Sequence, residues 1–367
     1  MKKYILIILI FFVSITSCND NLDIVDTGPN YDRASLLENW FNNHINPSYN
    51  NFSNELSVLS SEILDAKNNG ITESNLETIR NVFQSTYKSW QYVEMFNIGK
   101  AEEIYYSSTM NIYPVNVARV ESNISSGNYD LNNANNHAAQ GLPTIDYLLY
   151  GVGESETEII EKLNDTKYID YLVDLSNQMT VNTSAVINDW ETYKNEFFNS
   201  TDNTATSAVN MMVNDFIFYY EKGFRANKFG IPAGRFSSTP IPENVESYFS
   251  GTSKMLSIEA ISAVKDFYTG KHPFNGTTYT GSSLKSVISE LDENLGQNNL
   301  SSRISDKLDV AIQKINELDE NYKNQIQNNN IKFLQTYDAI QEVVVLLKVD
   351  MLQLLSINVD YVDADGD

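Results

Sequence analysis

Apolar residues recur three and four positions apart along most of this 367-residue chain. That spacing places them on one face of an α-helix. Leu36, Leu37, Trp40 and Phe41 form one stripe, and Leu56, Leu59, Ile63 and Leu64 form another. A third helix is predicted to open at Ser74, which has capping-box spacing to Glu77. It carries Leu76, Ile79, Phe83 and Trp90 and is expected to stop at Gly99. Later stripes run through Tyr168 and Leu172, Val209 and Phe216 (with a stop at Gly223), Leu256 and Phe267, Leu284 and Leu291, and Leu308 and Leu318. The last helix is expected over 325–355 and buried on most sides. Between these stripes, 224–251 holds Pro232, Pro240 and Pro242 with Gly230, Gly234 and Gly251, and so reads as a long loop of the kind that often carries function. Strand signals are few. Helices joined by short connections favour antiparallel bundles, so the expected class is all-α, with two helical halves over 31–180 and 181–367.

The two ends are of a different kind. The chain opens MKKYILIILIFFVSITSC, with a positive start at Lys2 and Lys3 and an apolar run from Tyr4 to Val13 that is too short to span a bilayer. Residues 1–17 therefore read as a signal segment. The ITSC tetrapeptide resembles a bacterial lipobox, which implies a lipidated Cys18 holding the protein at the outer membrane, on its periplasmic or surface face. Cys18 is the only cysteine, so no intramolecular disulfide is expected. Residues 18–30 read as an acidic tether that resembles a surface-export signal of Bacteroidota lipoproteins. At the other end, Asp363, Asp365 and Asp367 suggest a calcium loop but lack its closing Glu, and a solvated terminus is expected. The net charge is −23 and becomes two units more negative once Lys2 and Lys3 leave. Such a surface repels phosphates, which excludes nucleic acid as the main partner.

Few residues are left to carry chemistry. The three histidines, His44, His137 and His272, are not at close metal-ligand spacing. No HExxH, glycine-rich phosphate loop or GxSxG elbow occurs. What remains are acids at helix ends and in loops. In GLPTIDYLLYG, Gly141 to Gly151, Pro143 suits the first helical position and Gly151 the cap, while Ile145, Leu148 and Leu149 give a buried side. Asp146 then lies near the first turn, where the helix dipole favours its charge, or else it is a ligand for a cation or a polar group.

This stretch resembles the signature of the imelysin-like family, also called insulin-cleaving membrane peptidases, in which Gly-x-His-x-x-Glu precedes an aromatic and two leucines. YKSWQYVEMFNIG (87–99), KFGIPAGRFSSTPIPENVESYFSG (228–251) and the terminal VDADGD resemble further parts of that family in the same order. The resemblance implies one unit of two four-helix-bundle-like halves with the motif near the cleft between them. It also implies links to iron uptake and, by the family's name, to proteolysis. The departures are specific. Pro143 stands at the histidine place and Asp146 at the glutamate place, so the pair that would grip a metal is broken. His137 is the nearest substitute and reads as an ordinary loop histidine.

Carried over by position, the ligand-site candidates are Asp146, Glu94, Trp90, Glu246 and Ser247, with Trp90 and Glu94 on one helix face four residues apart. Asp146 and Glu94 are the candidates for holding iron or another divalent metal. The expected function is noncatalytic binding of a metal-containing or small polar ligand in the cleft, possible service in iron uptake included. The alternatives are a metallopeptidase with a rearranged site and a surface module for a protein or glycan.

Overall fold

A helix over 33–69 begins the fold. Asp32 caps it by accepting the Ser35 N–H at 3.0 Å, and a π-helical turn, Trp40–Ile45, precedes Asn46–Asn69. This is a computed structural model, and it describes residues 29–274, 277–295 and 299–360. The signal segment, Cys18, nearly all of the tether and the terminal aspartates lie outside the described residues. Among those described, no helix is long and apolar enough to cross a membrane.

The chain turns back at Gly70 into Glu73–Trp90, whose cap is Thr72. The Thr72 side chain accepts the Asn75 N–H, and Asn75 returns the bond to the Thr72 N–H. The capping box is therefore two residues earlier than the Ser74–Glu77 pair suggests, with an Asn serving in the place of Glu. This helix ends at Trp90, well before Gly99. Three short helices and one 3₁₀ segment lead to Gly141–Tyr150. The 34-residue helix Thr166–Asn199 then packs along both Asn46–Asn69 and Gly141–Tyr150. The boundary expected near residue 180 falls inside this helix. All of its main packing partners precede it in the chain, so the first half extends to Asn199.

Among the described residues, the second half is built from five helical runs. Ala208–Phe218 continues without a break through a π-helix, Tyr219–Gly230, to Ile231–Ala233. Neither the stop expected at Gly223 nor the loop start at 224 occurs. The wider π winding carries Gly223 inside it, and Pro232 stands just after its last turn, where the winding passes from π to α. The true loop begins at Gly234. Ser253–Thr269, Leu284–Leu295, Leu300–Asn316 and Tyr322–Val345 complete it, the last running on through a π turn to Leu355. That final helix keeps a solvent face at Val345 and Val349, and Leu64 in the first half also faces water. Lys271–Phe274 and Thr277–Thr280 form one small antiparallel hairpin. The fold is all-α apart from it.

Aromatic side chains join the halves. Phe267 of the second half stacks on Trp40 of the first at 5.1 Å, and Phe96 and Phe216 close around it at 5.7 and 5.1 Å. Full burial of rings this size is among the largest single contributions a side chain makes to stability.

Candidate functional site

The turn that follows Trp90 and the π-helix of the second half face each other across the two halves. From the turn come Gln91 and Glu94, from the π-helix Lys228 and Tyr219, and from the loop after Gly234 comes Glu246. Lys228 continues the buried stripe Phe216, Tyr220, Phe224 at steps of four, so a charged side chain enters the core. Its Nζ donates to Glu246 Oε2 at 2.7 Å and to Gln91 Oε1 at 2.9 Å, and lies 3.3 Å from Glu94 Oε2. Asn111 Nδ2 donates to Glu94 Oε1 at 3.0 Å and to Glu246 Oε1 at 2.9 Å. Gln91 Nε2 also donates to Glu246 Oε1, at 3.1 Å, and the Tyr87 hydroxyl donates to Asn111 Oδ1 at 2.7 Å. The network is closed, as buried polar groups require.

Its charges do not balance locally, since one lysine serves two carboxylates. Burial pushes the Glu94 carboxyl up, Lys228 offsets part of that, and the nearby Glu246 charge pushes it further up. For Lys228, burial acts downward, and the two glutamates outweigh it and raise it overall.

Asp146 has a separate task. It is the sixth residue of Gly141–Tyr150, beyond the first turn, so the expected dipole contact with its own helix is absent. Its carboxylate accepts the Phe249 N–H at 2.9 Å and the Ser250 N–H at 3.2 Å. Burial raises its carboxyl to about 6 in spite of those bonds. Pro143 is the third residue of the helix and not its first, still within the turn that lacks internal acceptors for its N–H groups. Both flanking glycines are required. Gly141 has φ +75 and lies so close to Met110 that a Cβ would sit 2.3 Å from its carbonyl oxygen, while a Cβ on Gly151 would sit 2.0 Å from Phe249 Cδ1.

Between Asp146 and the loop lies a cavity of about 180 Å³. Tyr113, Pro143 and Asp146 line it from the first half and Glu243, Ser247 and Phe249 from the second. Ser247 is 2% exposed, has φ +50, and its Oγ meets no hydrogen-bond partner.

Of the sequence candidates, Glu94 and Glu246 meet at Lys228, while Asp146 and Ser247 meet at the cavity. Trp90 does not join them. It is fully buried against Phe52 and Tyr106, both at 5.4 Å, whereas Glu94, just beyond the helix end, reaches Lys228. Nor do Asp146 and Glu94 form a ligand pair, since each carboxylate already has its own donors. Among the described residues no group of three or more His, Cys, Asp and Glu is placed to hold a metal ion. His137 lies in a 3₁₀ segment beside Tyr105. The fold does bring His44 and His272 together, their rings 5.5 Å apart and burial lowering them to about 3 and about 4. Lys228, Gln91 and Asn111 were not among the candidates. The one available signal was the lysine's place on an apolar stripe, hidden by ending that helix at Gly223.

Comparison with known proteins agrees with this architecture. An imelysin-like protein from Psychrobacter arcticum 273-4 superposes with a TM-score of 0.69 at 15% identity, over 91% of this chain and 99% of that one. A protein named as an iron-regulated protein A precursor, from Parabacteroides distasonis ATCC 8503, superposes with a TM-score of 0.72 at 16% identity, over 90% of this chain and 97% of that one. At such identities the likeness is one of fold. No curated protein matches the chain. The sequence profile of the imelysin family matches residues 45–349, most of the chain, and the protein belongs to that family.

Proposed function

We propose that this imelysin-family protein is a noncatalytic binding protein that takes a small polar ligand in the cavity between its halves. One observation carries the reading. The three buried carboxylates at the motif region are already held: Asp146 by two backbone N–H groups, and Glu94 and Glu246 by a set of donors from Lys228, Asn111 and Gln91. A metallopeptidase needs an open metal position and a base free to activate water. Pro143 stands where the family's histidine would be, and it has no ligand atom. The cavity beside Asp146 is preformed and mixed in polarity, as small-molecule sites are.

A place in iron acquisition, with the protein held at the outer membrane through a lipidated Cys18, belongs to the same proposal. It is supported by the lipobox-like ITSC and by the name of the Parabacteroides distasonis relative. The test is direct: purified protein is incubated with denatured protein substrates, with and without chelator, and its metal content is measured. No cleavage and no stoichiometric transition metal are expected. Chelator-sensitive cleavage that disappears in Asp146→Ala would overturn the reading in favour of a rearranged peptidase.

A further inference from the structure

The lining of the cavity specifies more than polarity. We infer that it binds a compact organic cation, an alkylammonium or quaternary ammonium group with an apolar body. The inference rests on the cavity being a ligand site and adds the class of ligand.

Two carboxylates, Asp146 and Glu243, face the cavity, and no lysine, arginine or histidine lines it. The rings of Tyr113, Tyr248 and Phe249 supply aromatic surface, whose faces attract cations. Lys323 already uses the Tyr248 ring: its Nζ lies 4.3 Å from the centroid and donates to the hydroxyl at 2.7 Å. Phe249 packs against Tyr147 at 5.1 Å and Tyr248 at 5.0 Å, so Tyr113 is the lining ring best placed to meet a ligand. The contact with Tyr248 also places the Lys323 ammonium beside the cavity wall, a positive charge that a ligand must tolerate.

Ser247 is the independent observation. A buried hydroxyl with no partner carries an uncompensated desolvation cost, and Ser247 lines the cavity with its Oγ in that condition on a backbone held at φ +50. A ligand N–H, or a hydroxyl carried beside the cationic centre, satisfies it. Asp146 points the same way. Its charged form is disfavoured by burial, and a cation in the cavity restores it.

Size and donor count select the class. A space of about 180 Å³ is slightly larger than the roughly 150 Å³ that accommodates benzene, which suits a quaternary ammonium head or a short alkylamine. A bare divalent metal wants about four to six N or O ligands. Here most of the wall is carbon, and the Asp146 oxygens already accept two N–H groups.

The test is a calorimetric titration of the full chain with choline and with butylammonium, each against its neutral isostere in which carbon replaces nitrogen. At least one cation is expected to bind about tenfold more tightly than its isostere, the ratio that ~1.4 kcal/mol of cation selectivity gives. Glu243→Gln, on an exposed rim residue, is expected to shrink that ratio severalfold with an unchanged melting curve. Isosteres that bind as tightly as their cations overturn the cation assignment and leave the ligand cavity standing. If neither cations nor isosteres bind, both fall. The wild-type comparison decides the matter even if the variant does not fold.

Discussion

Lys228 Nζ stands 2.7 Å from Glu246 Oε2 and 3.3 Å from Glu94 Oε2, one ammonium between two carboxylates that come from different halves of the molecule. The lysine and Glu246 are both almost fully buried, so water does little to screen them. Removing one partner of such a set leaves charge stranded in a dry interior, which is far more damaging than the pair's net worth suggests.

Lys228→Met is therefore expected to destabilise the protein by about 3–5 kcal/mol. Pairing it with Glu246→Gln should recover part of the loss, because less uncompensated charge remains. Urea unfolding of the single and double variants checks this. Additive losses in the double variant would show that the two side chains do not interact.

Asp146 ties stability to pH. Its carboxyl titrates near 3.8 when unfolded and near 6 when folded, so the folded chain holds that proton more tightly. The stability this gives is complete below about 3.8 and disappears as the pH rises to about 6. Asp146→Asn carries no such proton. Relative to the parent, its stability should climb across that window, by at most about 3 kcal/mol. Urea unfolding curves at several pH values measure the difference, and a flat difference would contradict the raised carboxyl.

Gly141 and Gly127 offer a controlled comparison. Both have positive φ, +75 and +64, but only Gly141 faces a backbone oxygen where its Cβ would go, whereas Gly127 has nothing within 4 Å. Gly127→Ala should cost about 1–2 kcal/mol, the strain of the left-handed region. Gly141→Ala should cost clearly more, because the Met110 carbonyl cannot move without its helix. Equal losses on chemical unfolding would rule out the contact.

Phe267 is packed by Trp40, Phe96 and Phe216 at once. Phe267→Ala is expected to cost about 3–5 kcal/mol. Because two of those rings belong to the first half, calorimetry should also show the halves melting less cooperatively. A loss under 1 kcal/mol would mean that the cluster does not join them.

Much of this fold could be read in advance, for identifiable reasons. The stripes through Leu36, Leu56, Ile79, Leu172 and Leu308 follow helical spacing without interruption, and the family signature is a contiguous string. The misreadings share a cause, which is punctuation taken too literally. Gly223 and Pro232 look like breakers, yet a π-helix passes through one and the other sits where that winding passes into a short α segment. Ending that helix early removed Lys228 from view, and with it the reason Glu94 and Glu246 are buried. Trp90 and Glu94 are four residues apart, yet the indole packs into the core against Phe52 and Tyr106 while the carboxylate meets Lys228, a parting that spacing alone does not encode. The approach of His44 to His272, like the Lys228 network, is a long-range meeting that local spacing does not encode.

The segment after Gly234 is fastened at two points by side chains from the opposite half. Asp146 holds its backbone at Phe249 and Ser250, and Gln91 and Asn111 hold its carboxylate at Glu246. Ser247 lies between these two clasps. The hollow beneath it is a joint product of both halves, and neither half expressed alone would possess it. Prising the halves apart would not widen the hollow but abolish it, so its integrity is a local gauge of whether the whole molecule is assembled.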